Sequence, residues 1–302
     1  MRAAIFRRTG GPEVLEIADV PAPVPAPGEV LVRVHVTAVQ QFDTAVRSGW
    51  MPTTAEVKLP IITGNEFSGV IAALGPDAMG FAVGDRVAGR HTFGSAAEFL
   101  AVPMVDIAVV PEKLSFAEAA YLGGSGQTGH MVVEWLGVTK GDVFLVHGGS
   151  GGVGSVAIQL AVAAGAKVVA TGSAANQDYL RGLGATPIIY GEGLRQRIEA
   201  AAPEGVTVVL DCAGGESLDI SIALGIDKGR IATIADERYK ELGVQWPTGA
   251  RNGARLANLL ALAASGVVKA NIRQVFPLDQ IAEAHRIVEA GHGAGKVVVE
   301  IG

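Results

Sequence analysis

The chain has 302 residues, 49% hydrophobic and 18% charged, with a net charge of −6 and one cysteine. Two ordinary domains fit that length, and the balance predicts a large buried core rather than disorder. The acidic balance argues against nucleic acid as the main partner. The lone Cys212 excludes an intrachain disulfide and a cysteine-built zinc site.

No apolar run reaches membrane-spanning length without charges, and the N-terminus shows no signal-like apolar segment. The expectation is a cytoplasmic protein without a membrane partner. Up to about residue 115 the chain reads as β-rich. Strand-like runs fall at residues 2–6, 15–19, 30–39, 68–74, 86–88 and 97–102. The Pro-Ala connector at 21–27 is stiff and extended, which excludes helix. Ser115-Phe-Ala-Glu118 is a capping box, predicting a helix to about Glu134.

Strand and helix then alternate. Strands are predicted at 143–147, 167–171, 187–190, 206–211 and 230–234, and helices near 155–164, 176–183, 194–201 and 217–223. Such alternation predicts an α/β unit, a doubly wound parallel sheet with helices on both faces. A helix from about 251 to 264, a strand at 273–276, a helix at 278–289 and a strand at 296–301 follow. Periodicity leaves open whether these close that sheet or return to the first unit.

The strand at 143–147 runs into Gly148-Gly-Ser-Gly-Gly-Val-Gly154 and then into a helix. Gly149-x-Gly151-x-x-Gly154 is the dinucleotide fingerprint in its proper setting. Gly149 serves the tight turn, Gly151 lets backbone approach a pyrophosphate, and Gly154 lets helix pack on strand. The backbone of Ser150, Gly152 and Val153 completes a phosphate cradle at the helix N-terminus. The second strand ends Ala170-Thr-Gly-Ser173 with no acid, where an NAD-selective site places Asp or Glu. The missing acid favours NADPH, with Ser173, Asn176 and Tyr190 as donors to its 2′-phosphate. Arg181 reaches that phosphate only if its helix face points inward.

Several separate segments carry a resemblance. They are Gly64-Asn-Glu-Phe-Ser-Gly-Val70, the Gly84-Asp-Arg-Val87 turn, Gly94-Ser-Ala-Ala-Glu98, the glycine loop, Leu210-Asp-Cys-Ala-Gly-Gly215 and Gly295-Lys-Val-Val-Val299. Over nearly its whole length the chain resembles the zinc-independent quinone oxidoreductases of the medium-chain dehydrogenase/reductase superfamily. The resemblance implies a GroES-like catalytic domain at 1–119 and a Rossmann nucleotide-binding domain at 120–262. It implies a segment at 263–302 that returns to the catalytic domain, NADPH in the cleft, and a homodimer.

Zinc-bearing relatives place their ligands where this chain resembles them at Gln40 and Asn65, so a metal-free site is expected. None of the six histidines, His35, His91, His130, His147, His285 and His292, lies in a ligand-spaced cluster. Quinone oxidoreductases of this type usually have Asn at the position of Gln40, and a basic residue at that of Asn176. Their late arginine falls in the Gly291-His292 region, where none stands. These departures weigh against NADPH, and Tyr190 partly restores it.

Gln40 and Asn65 are the expected catalytic amides. A hydride acceptor develops negative charge on its carbonyl oxygen, and a donor held there in a dry cleft lowers the barrier. Thr128 resembles the family threonine near the nicotinamide carboxamide, and the backbone at Ala213 and Ile234 is expected to line the nicotinamide side. Phe42, Phe93 and Trp246 are expected around an apolar pocket, with Asp43 and Arg47 in an ion pair. The substrate class is a quinone, or alternatively an enone or alkenal. A catalytically silent nucleotide binder, like the lens crystallins of this superfamily, is the reading from another class.

Overall fold

The computed structural model describes residues 1–52, 57–291 and 293–302. Its N-terminal region holds β1 (Arg2–Phe6), β2 (Glu16–Asp19), β3 (Glu29–Ala38), β4 (Ile61–Ile62), β5 (Glu66–Leu74), β6 (Arg86–Arg90), β7 (Phe99–Pro103) and β8 (Ile107–Val109). Along β3, Val30, Val32, Val34 and Val36 are buried while the residues between them are more accessible. That alternation is the period-two pattern of a strand with one face in a core. β2, β1 and β4 form a three-stranded sheet in that order, and β3 is the hub of a second, larger sheet, pairing antiparallel with β5 and β7.

A short helix among these strands is absent from the sequence reading, α1 (Gln41–Ser48). Its signals are local: the Asp43 carboxylate accepts from the Gln40 backbone N–H at 2.8 Å, and Gly49 ends it at φ 115°.

The expected single helix over 115–134 is instead two. α2 (Phe116–Tyr121) starts on the Ser115–Glu118 box, as expected, and α3 (Gln127–Leu136) continues after a π-helical turn at Leu122–Gly126. Close packing explains the break. A Cβ on Gly123 would stand 2.5 Å from the Gly89 carbonyl oxygen, and one on Gly124 would stand 2.3 Å from Glu66 Oε2. Glycine permits both approaches, and the widened turn brings them about.

Five parallel strands follow: β9 (Val143–His147), β10 (Lys167–Gly172), β11 (Thr186–Ile189), β12 (Val208–Asp211) and β13 (Ile231–Thr233), in the order β11-β10-β9-β12-β13. All residues of β9 and β12 are buried, as strands covered on both faces must be. The helices are α4 (Gly152–Ala163), α5 (Gln177–Gly182), α6 (Leu194–Ala201) and α7 (Glu216–Ala223), with a further short α8 (Tyr239–Leu242). Strand order reverses beside β9, so the loop after β9 opens at the switch point, where open α/β sheets bind ligands.

α9 (Gly253–Ala264) leads to β14 (Ile272–Pro277), α10 (Ile281–Glu289) and β15 (Lys296–Glu300). β15 pairs antiparallel with β3, and β14 adds parallel to β15. The last strands therefore join the N-terminal sheet and not the parallel one. A shared apolar cluster of Ala88, Leu122, Val156, Leu256 and Leu259 ties the two regions together. Among the described residues no helix is long and apolar enough to cross a membrane.

Candidate active-site cleft

The glycine loop divides its tasks differently from the sequence expectation. The left-handed turn falls on Gly148, at φ 69°, and not on Gly149. Gly149 is required by packing instead: a Cβ there would stand 2.9 Å from Ala170 Cβ and Ile158 Cδ1. Gly154 does serve close packing, with 2.6 Å to the Gly148 carbonyl oxygen. Gly151 caps α4 in extended backbone, and only the Gly148 oxygen, at 3.4 Å, lies near its missing Cβ. Open space beside Gly151 at a helix N-terminus is what a pyrophosphate needs. The backbone of Ser150, Gly152 and Val153 lies in the same turn.

Neighbours fix the loop in place. Thr171 accepts from the Gly149 N–H through its carbonyl oxygen at 2.9 Å. The buried Tyr121 hydroxyl donates to the Gly152 carbonyl and meets Ser155 Oγ, each at 2.7 Å. Gly295, ahead of β15, donates to the Ser150 carbonyl at 3.1 Å.

Of the residues expected to meet a 2′-phosphate, Asn176 Nδ2 donates to Ser150 Oγ at 3.0 Å, and Ser173 directly follows β10. Tyr190, 49% exposed, follows β11. Arg181 does not turn inward; it is exposed and pairs with Asp178. The cation beside Tyr190 is Arg197, which the sequence does not single out. Its Nε donates to the Ile189 carbonyl at 2.8 Å and its Nη2 to that of Gly191 at 3.1 Å, flanking Tyr190. Residue His292 lies outside the described residues.

On the nicotinamide side the expected backbone donors are already used. Ala213 and Gly214 donate to Asp211 Oδ1, Gly215 donates to Asp236 Oδ2, and Ile234 donates to the Asp211 carbonyl. The Gly215 carbonyl already accepts from the Leu218 and Asp219 N–H groups, which leaves the carbonyl oxygens of Ala213, Gly214 and Ile234 as the groups with capacity to spare. Thr128, on α3, donates to the Gly124 carbonyl at 3.3 Å.

Gln40 and Asn65 meet around Asp43. Asn65 Nδ2 donates to Asp43 Oδ1 at 3.0 Å, and Asn65 Oδ1 accepts from the Phe93 N–H at 3.3 Å. Asn65 is 3% exposed, so its amide is largely committed to the wall. Gln40 is half-buried, and its Nε2 lies 2.7 Å from where a Gly124 Cβ would stand. Asp43 is buried and does not pair with Arg47, contrary to the sequence expectation. Arg47 pairs with Glu289 and donates to the Gly10 carbonyl. Burial pushes the Asp43 carboxyl up to about 7, against the lowering effect of the Gln40 N–H and of Lys296.

Beside Asp43 lies a buried ion pair that sequence reading did not single out, Glu66–Lys296. Glu66 Oε2 accepts from the Ser125 N–H at 2.6 Å, and Lys296 Nζ donates to Ser125 Oγ at 2.9 Å. Both residues stand in segments that carry the resemblance, and a charge inside an otherwise apolar strand was their only signal. Phe42 packs on Phe93 and Trp50 with ring centroids 5.8 Å apart in each case. Trp246 is not part of this wall; it packs on Tyr239.

A zinc ion does not fit these positions. Zinc takes thiolate, imidazole or carboxylate ligands, and Gln40 and Asn65 offer amides. Cys212 sits against Gly148, at the glycine loop. Among the described residues no three His, Cys, Asp or Glu side chains converge as a metal site. Metal analysis of the purified protein should find no stoichiometric zinc; zinc required for activity would overturn this reading of the donor set.

A β-rich unit over a Rossmann sheet, with a glycine loop at the switch point and a polar wall facing it, defines a nucleotide-dependent dehydrogenase or reductase. The family model for alcohol dehydrogenase GroES-like domains matches residues 26–112, and that for zinc-binding dehydrogenases matches 183–299. Quinone oxidoreductase of Homo sapiens is 30% identical over 99% of this chain and 97% of its own length. The 2-methylene-furan-3-one reductase of Solanum lycopersicum is 31% identical over 99% of this chain and 79% of its own. Quinone oxidoreductase of Escherichia coli, solved in complex with NADPH, superposes with a TM-score of 0.89 at 25% identity, each chain fully covered. The chain belongs to the quinone oxidoreductase family of the medium-chain dehydrogenase/reductase superfamily, an NAD(P)-binding family of oxidoreductases.

Proposed function

We propose that this protein is a zinc-independent, NADPH-dependent reductase that passes hydride to a quinone. The observation that carries the reading is the π-helical turn at Leu122–Gly126. Its Gly124 abuts Gln40 Nε2 and Glu66, and its Ser125 side chain lies 3.1 Å from where a Gly152 Cβ would stand. One turn therefore joins the amide wall to the glycine loop. The accompanying division of the chain is 1–119, 120–262 and 263–302, and the proposed assembly is a cytoplasmic homodimer.

When bound, the nicotinamide supplies hydride; the residues supply orientation and charge stabilisation. Gln40 is the proposed polariser, since its amide faces the turn that borders the cofactor site. Asn65 is a positioning residue, because both ends of its side chain are engaged. The Phe42, Phe93 and Trp50 wall excludes water and accepts a planar apolar ring. Solvent delivers the proton. Gln40→Leu should lower kcat for naphthoquinone reduction by about 100-fold, with NADPH affinity little changed. An unaltered kcat would remove Gln40 from the chemistry.

The preference for NADPH is supported by the missing acid at Ser173 and by Arg197 at the Tyr190 turn. Ser173→Asp should shift the ratio of kcat/KM for NADPH to that for NADH by at least about tenfold towards NADH, because a carboxylate repels a 2′-phosphate. An unchanged ratio would show that Ser173 faces elsewhere. The likeness to the tomato reductase supports enones as a second substrate class. Greater kcat/KM with an enone than with a quinone would favour that reading. NADPH binding without turnover on either class would favour the silent binder.

A further inference from the structure

Two arginines enter none of the chemistry above, one across the sheet from Glu66 and one on Thr128, a turn beyond Ser125. Arg90 closes β6 directly opposite Glu66 on β5. Antiparallel partners present their side chains on one face of a sheet. Glu66 reaches Ser125, so Arg90 leaves the sheet on the side of the same turn. Arg251 comes from a different element, the segment before α9, and its Nη1 donates to Thr128 Oγ1 at 3.3 Å. Close packing fixes that segment. A Cβ on Gly249 would stand 3.0 Å from Met131 Cγ, and one on Gly253 would stand 2.1 Å from the Ile107 carbonyl oxygen.

Neither guanidinium has a carboxylate in ion-pair range among the described residues. Of the acids near Arg90, Glu66 is taken by Lys296 and Ser125, and Asp106 stands outside pairing distance. Burial and the neighbouring Arg90 together hold Arg251 down to about 10, so the two cations sense each other. Arg90 is part-buried and Arg251 reaches solvent, so an anion can enter between them and offset their repulsion. A carboxylate suits the gap, because guanidinium groups bind it through paired, charge-assisted hydrogen bonds.

We propose that Arg90 and Arg251 form an anion subsite beside Thr128, and that the electrophile reduced here carries a carboxylate a few bonds from its reducible bond. This rests on the reductase reading above and narrows its substrate class.

The test compares 4-oxopent-2-enoate with its methyl ester, which share the reducible skeleton and differ in charge. The wild-type protein should show kcat/KM at least about tenfold higher for the acid, and raised salt should erode that preference. Arg251→Gln and Arg90→Gln should each bring the acid-to-ester ratio towards one, mainly through KM for the acid, while Arg251→Lys retains part of it. Equal handling of acid and ester by the wild type, or a ratio that survives both substitutions, would overturn the subsite. A second arm needs no turnover: calorimetry of 4-oxopentanoate, the saturated analogue, with the NADP⁺-loaded protein. Arg251→Gln should weaken that binding at least about tenfold; no binding to the wild type, or equal binding by the variant, overturns the subsite. Failure to reduce any quinone or enone, with 4-oxopentanoate binding intact and arginine-dependent, would sink the reductase reading and leave the subsite standing. An equal loss of NADPH affinity in Arg251→Gln would assign the pair to the cofactor's phosphates and overturn the proposal.

Discussion

Gly151→Leu is expected to abolish dinucleotide binding while the protein keeps its fold. Gly151 has φ −76° and ψ 172°, backbone that any residue adopts. Its missing Cβ would have only the Gly148 oxygen within 4 Å, at 3.4 Å, so a side chain there disturbs little of the protein itself. It would project into the open space at the α4 N-terminus where the cradle's N–H groups await a phosphate. Gly154→Ala makes the contrast. Its Cβ would stand 2.6 Å from the Gly148 oxygen and 2.8 Å from Gly149 Cα, both backbone atoms that cannot swing away. That variant should lose stability first and binding as a consequence. Thermal melting and NADPH calorimetry on the two variants separate the cases. Undiminished NADPH affinity in a folded Gly151→Leu protein would count against the loop assignment.

The glycine loop was legible because its logic is local. A buried strand, a glycine turn and a helix follow one another within a dozen or so residues, and β9 runs over the very residues its apolar run marked. Local reasoning also gave the Ser115 box. It erred where tertiary contact decides. Gly149 was given a turn, but Gly148 makes it, and Gly149 answers to Ala170, Ile158 and Leu180 from other elements. The helix after Ser115 was read through a run of glycines that strand β6 and Glu66 force into a π-helical turn. Arg47 looked like the partner of Asp43 in sequence; folding hands it to Glu289. The polar wall assembles Gln40, Asp43, Asn65, Glu66, Ser125 and Lys296, and no periodicity links positions so far apart. Only the pairing of β15 with β3 brings Lys296 to the others.

That wall yields the second large effect. Lys296→Met should destabilise the protein by about 3–5 kcal/mol, because it leaves Glu66 charged and buried without its cation. Glu66 is fully buried and Lys296 is 6% exposed, so water screens neither. The Ser125 N–H and hydroxyl would remain as partners, but neither carries a full charge. Asp43 adds to the penalty, since Lys296 is the cation that acts on its carboxyl. The loss should depend on pH in a defined sense. Burial already holds the Asp43 carboxyl up to about 7, and the variant removes the cation that lowers it, so the folded state binds more protons than the unfolded one and stability falls as pH rises from the ordinary carboxylate range to neutrality. Denaturant titrations at acidic and neutral pH should therefore show the larger deficit at neutral pH. The double variant Glu66→Gln, Lys296→Met removes both charges and keeps an acceptor for the Ser125 N–H. It should be more stable than Lys296→Met alone, and a double variant as unstable as the sum of the singles would show that the pair contributes through packing rather than charge.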